Sequence, residues 1–166
     1  MTVRARLFGL LLLVVSGCYG FLPKPVRTDR VRAATEQEKK RRCDAPPADV
    51  RLFAPETIES VAPLYYYVQT GGGREARLHG AEVHLRPLPG MTAELVAHEL
   101  MCRSARLVLG RVQEAPSEPY WLPDGWVKID ARSEEGSFVV TLEGEDLVEA
   151  KEILARAQAF RGRRAP

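Results

Sequence analysis

The stretch from Thr92 to Gly110 constrains this chain most, because a helix written there can face water along only a narrow edge. Thr92 is placed to cap it, Glu94 sits in the first turn where the helix dipole favours an acid, and Gly110 follows where helices commonly stop. Met91 is placed to staple against Val96. On a helical wheel over Ala93 to Leu109, the residues Glu99, Arg103 and Arg106 form a polar edge, and Ala97, Leu100, Met101, Ser104, Ala105, Val108 and Leu109 cover a wide apolar arc. Such a helix must be heavily buried, so the rest of the chain has to supply a surface for it.

Four segments have the period of half-buried strands. Leu64 to Gln69 is aromatic and β-branched, with tyrosines at 65, 66 and 67. Arg77 to Leu88 alternates Ala81, Val83 and Leu85 with Glu82, His84 and Arg86. Trp126 to Arg132 places Val127, Ile129 and Ala131 on one side, and Ser137 to Glu143 places Phe138, Val140 and Leu142 on one side. The turns between them are Thr70-Gly71-Gly72-Gly73-Arg74 and Ser133-Glu134-Glu135-Gly136. The triple glycine lacks the spaced Gly-Lys-Ser/Thr pattern of a phosphate loop and reads as a hairpin tip. A second helix is predicted from Leu147 to Phe160, with Asp146 and Glu149 as a capping box and Leu147, Ala150, Ile153, Leu154, Ala157 and Phe160 on its apolar face.

The order β-β-α-β-β-α predicts the α+β class: a two-layer sandwich of about four mainly antiparallel strands with two helices on one face. The part after Arg77 is partly ferredoxin-like, a split unit without its last strand. That analogy concerns topology and carries no function. The domain is expected over 46–160, with 161–166 as a frayed tail. Val50 to Ala62 is expected to form a short helix or to pack along the domain, with Pro63 ending it.

The amino terminus has a different character. Arg4 and Arg6 precede the apolar run Leu7 to Val15, which is too short for the ~20 residues that span a bilayer and has the form of a targeting core. Val15-Ser16-Gly17-Cys18 resembles the lipobox of bacterial lipoproteins. The resemblance implies that 1–17 is a signal peptide removed by cleavage and that Cys18 carries a diacylglyceryl group, with no other cofactor. In that family an aspartate after the cysteine retains the protein at the inner membrane. Tyr19 stands there instead, so the resemblance implies an outer-membrane anchor facing the periplasm.

Cleavage changes the charge balance. The full chain is formally +2, and Arg4 and Arg6 are the only charged side chains before Cys18, so the mature chain is neutral. That gives no support for nucleic-acid binding. Residues 18–45 read as a lipidated terminus and charged tether without an apolar face, although Thr28 to Arg42 could form a short solvated helix. From Arg27 to Arg42, seven basic residues against three acidic ones suit anionic headgroups or peptidoglycan, or simply a solvated spacer.

With Cys18 acylated, Cys43 and Cys102 remain. An oxidising envelope favours a disulfide between them, the other possibility being two free buried thiols. His98-Glu99-Leu100-Met101-Cys102 resembles the His-Glu-x-x-His of zinc peptidases with cysteine as the second ligand, but no third ligand has a recognisable spacing. A metal or haem site using His98, Cys102 and His84 is one candidate, and a packed histidine is the other reading. Nothing resembles a nucleophile elbow or a triad, so a non-enzymatic binding role is expected, toward an envelope protein or peptidoglycan. Tyr120, Trp121 and Trp126 are candidates for stacking on a sugar or a partner, or for covering a core edge.

Overall fold

The computed structural model describes residues 29–43, 53–112 and 118–163. Its elements in chain order are α1 (Arg30–Arg41), β1 (Ile58–Thr70), β2 (Gly73–Leu85), α2 (Ala93–Val108), β3 (Lys128–Glu134), β4 (Ser137–Glu143) and α3 (Leu147–Gly162). The strands form one antiparallel sheet in the order β1-β2-β4-β3. Ala81 stands opposite Leu142, Val83 opposite Val140 and Leu85 opposite Phe138. Residues paired across strands share a face, so the alternation in the sequence becomes one continuous apolar surface. Val96 and Leu100 of α2 and Ile153, Ala157 and Phe160 of α3 close over it in a single core. The class is α+β, with two amphipathic helices on one face.

The stretch Thr28 to Arg42, which could form a short solvated helix, contains a third helix, α1, and it is docked against α2 instead of standing free in a tether. Its run of charges leaves one fully buried side chain, Ala34, so it has no apolar stripe to reveal it. What forms it is end chemistry. The Asp29 carboxylate accepts from the backbone of Val31 and Arg32, and Lys39, Lys40 and Arg41 lie at the end where the dipole favours cations. Arg42 adopts the left-handed conformation at φ 53°, which lets the Cys43 amide donate to the Glu38 carbonyl at 3.2 Å. The second half of the segment expected as a solvated spacer is therefore a helix docked on α2.

The first two strands also begin earlier than their composition suggests. β1 starts at Ile58 and runs through Pro63, which pairs with Ala81. A proline is tolerated there because β1 is an edge strand, where a missing N–H can face water. At the other end of the chain, α3 buries Ala150, Ile153, Ala157 and Phe160 as expected. Leu147 is the exception, at 53% exposed. It lies at the mouth of a cavity of about 560 Å³ shared with Tyr65, Ala76 and Leu78, where the sheet runs on past the helix.

The register between β1 and β2 slips after Leu64, beside Gly80. Gly80 has φ +151°, and a Cβ there would lie 1.9 Å from the Leu142 carbonyl oxygen of the neighbouring strand. Both the backbone angle and the close approach exclude a side chain. Gly80→Ala is expected to lower stability by about 2–4 kcal/mol, read as a reduced urea midpoint with an unchanged slope.

Candidate functional site

β1 and β2 are each 13 residues long, but β4 pairs with β2 only from Gly80 to Leu85. The distal half of the hairpin therefore extends beyond its neighbour. Tyr65 and Tyr67 point to one side and Tyr66 to the other, as strand geometry requires, and all three are substantially exposed, at 47%, 60% and 42% respectively. The Arg74 guanidinium lies over the Tyr67 ring, 4.4 Å from its centre. A tight turn with Gly73 at φ +131° closes the arm, and the Thr70 hydroxyl donates to the Gly73 carbonyl at 2.9 Å.

Where the arm leaves the sheet, Glu143 gathers a polar cluster. Its Oε2 accepts from Lys128 Nζ at 3.0 Å and from the Tyr66 hydroxyl at 3.2 Å, and its Oε1 is 3.8 Å from His79 Nδ1. The Tyr66 and His79 rings are 4.5 Å apart at a tilt of 36°. Lys128 is the direct partner of Glu143 across the β3–β4 hairpin, whose Glu135-Gly136 turn fixes that register. A cavity of about 370 Å³ opens beside the cluster, lined by His79, Trp126, Lys128, Glu143, Gly144 and Glu145.

These contacts alter two proton affinities. Burial first, then the Glu143 carboxylate, pushes the Tyr66 phenol above its ordinary value of 10.0. The hydrogen bond and charge of the same carboxylate raise the Lys128 ammonium above 10.5. Both groups hold their protons more tightly folded than unfolded. The stability they confer is fully present below about pH 10 and is lost as pH rises through their folded values.

Cys43 and Cys102 are paired, with their Cα atoms 5.5 Å apart and sulfurs at bonding distance. The bond ties the end of α1 to the middle of α2, and the Arg106 guanidinium adds a hydrogen bond to the Cys43 carbonyl. His98 Nε2 stands 3.7 Å from Cys102 Sγ, as their spacing along one helical face implies. A sulfur in a disulfide has no thiolate to offer a metal. His84 lies on the opposite face of the sheet from α2, paired with Ser60 and Val139, so the structure does not bring His84, His98 and Cys102 together. Among the described residues no group of three or more His, Cys, Asp or Glu side chains is disposed to hold a metal ion.

The three aromatic candidates part company. Tyr120 is 1% exposed and packs edge-on against Phe53, 5.4 Å between ring centres, so it fills the core and is not available to stack on a partner. Trp121 is half-buried against the core with the Arg156 guanidinium 5.5 Å from its ring centre. Trp126 is half-buried and borders the cavity beside Glu143. Cys18 lies outside the described residues. The sequence reading missed Tyr66, His79, Lys128 and Glu143 as a group. The signal for Lys128 and Glu143 was present, since both stand on the polar side of facing strands. The register slip that brings His79 to them had no such signal. Comparison of the chain with protein-family models, with curated proteins and with solved structures gives no match.

Two outcomes follow from this geometry. Replacing both Cys43 and Cys102 by serine removes a cross-link between residues 59 apart in sequence and should cost about 2–4 kcal/mol. Hydrogen exchange should then rise first in α1 while β2 and β4 stay protected. Glu143→Gln should lower the apparent tyrosine pKa seen by ultraviolet titration, because the charge and hydrogen bond that hold the Tyr66 proton are both weakened.

Proposed function

We propose that the protein is a lipid-anchored lipoprotein of the bacterial envelope with a non-enzymatic binding role, and that the distal β1–β2 hairpin is its contact surface. The observation that carries this reading is the run of three exposed tyrosines on an edge strand that outreaches the rest of the sheet. Tyrosine is well suited to interfaces, since it offers a broad apolar face and a hydroxyl while losing only two torsions on binding. An edge strand also offers unpaired backbone groups to an extended segment of a partner. Pro63 blunts that edge at its middle, which directs pairing to Leu64–Thr70, the tyrosine half.

The compartment rests on other support. Val15-Ser16-Gly17-Cys18 has the lipobox pattern, and the paired cysteines suit an oxidising environment. Among the described residues no helix is long and apolar enough to cross a membrane; in this reading the anchor is the lipid on Cys18. Several acyl chains on one residue hold far more firmly than one. Outer-membrane sorting follows from Tyr19 in the same reading. The strand order β1-β2-β4-β3 supports extending the fold reading to a partly ferredoxin-like sheet, with β1 in the place of its missing last strand.

Labelling cells with palmitate should mark the wild-type protein and leave Cys18→Ser unmarked and released from the membrane fraction. A photo-cross-linking side chain placed at Tyr67 should capture a discrete envelope protein, and one placed at Val31, exposed on α1, should not. Equal capture from both positions, or none from Tyr67, would falsify the assignment of the contact surface.

A further inference from the structure

The polar cluster at Glu143 borders the cavity of about 370 Å³ described above, which lies within the size range of small-molecule sites. We infer that this cavity, between Trp126 and the Lys128–Glu143 pair, is a saccharide subsite that takes a neutral sugar unit such as an N-acetylated amino sugar of a glycan. The inference does not depend on the lipid anchor or on the hairpin contact.

The lining selects the ligand by exclusion and by fit. An anion entering the cavity would meet the carboxylates of Glu143 and Glu145 on the same wall. A cation would meet Lys128, already seated 3.0 Å from Glu143. Opposite charges side by side suit a ligand whose groups donate and accept in turn, which is the character of a polyol. The carboxylate accepts from a sugar hydroxyl, the ammonium donates to one, and each keeps its partner.

The apolar part of the wall fits the same ligand. Trp126 does not pack into the core as Trp121 does, yet it is half-buried at the cavity rim. A large aromatic surface beside convergent polar groups matches the alternation of C–H and O–H faces on a pyranose ring. His79 completes the floor, held by the Tyr66 ring at 4.5 Å and by its carbonyl, which accepts from the Gly144 amide at 2.9 Å. The frame is thus built before a ligand arrives, which lowers the ordering cost of binding. The tyrosine arm and this cavity meet at Tyr66, so a partner on the hairpin and a glycan in the cavity would be neighbours.

The test is calorimetric titration of the full-length protein, in a zwitterionic detergent without sugar groups, with a tetramer of N-acetylglucosamine. Saturable binding is expected, weakened about tenfold or more by Lys128→Ala and by Glu143→Gln. Lys128 is 72% exposed at its side chain, so that variant keeps the fold, and a retained cooperative melting transition verifies it. Trp121→Phe should bind as the wild type. No heat at about 10 mM saccharide, equal affinity in Lys128→Ala, or preferential binding of inorganic phosphate overturns the assignment.

Discussion

Burial of α2 on two sides is the constraint on which the rest of the molecule depends. One side carries Val96 and Leu100 into the sheet core, and the other carries Cys102 to α1. Removing the sheet side would expose the main apolar surface. Removing the other side would free only a charged helix. The two sides are held by different physics: the first by the area of apolar surface withdrawn from water, the second by a covalent bond and a few charge-assisted contacts. Those contacts include Arg106 with the Cys43 carbonyl and Arg111 with Glu38, while Arg30 ties α1 to the carbonyls of Leu122 and Pro123 before β3.

That difference explains what could be read in advance. Period and capping located α2, α3, β3 and β4, because each buries a regular face: Ile129 and Ala131 against Phe138, Val140 and Leu142, with Thr92 and Asp146 as caps. α1 was legible only as a possible solvated helix, and its docking was not, since Ala34 alone does not make a stripe and Cys43 acts on it from beyond its end. β1 was half legible. Tyr65 to Tyr67 announced a strand, but Pro63 argued against its first half until the sheet order made it an edge.

The site was legible to a smaller degree. Lys128 and Glu143 follow from hairpin register and Tyr66 from the alternation of β1, but His79 reaches them only because the ladder slips one residue beside Gly80. A slip of one residue turns a strand over, so a glycine chosen for close approach to Leu142 also decides which side chains the cluster contains. Tyr120 shows the converse. A proline-flanked aromatic looks like a surface feature, and here it is packed against Phe53 in the core, with its carbonyl held by the Ser104 hydroxyl at 3.1 Å.

Docking of α1 also sets a length. With a lipid on Cys18, only ten residues separate the acylated position from Asp29, where the docked part of the chain begins. At ~3.4 Å per residue, even a fully drawn-out leash measures under about 40 Å. Counted to Phe53 instead, the same bound is about three times as long. If Cys18 carries a lipid, the Cys43–Cys102 bond, by keeping α1 docked, would also limit how far the domain can stand from the bilayer.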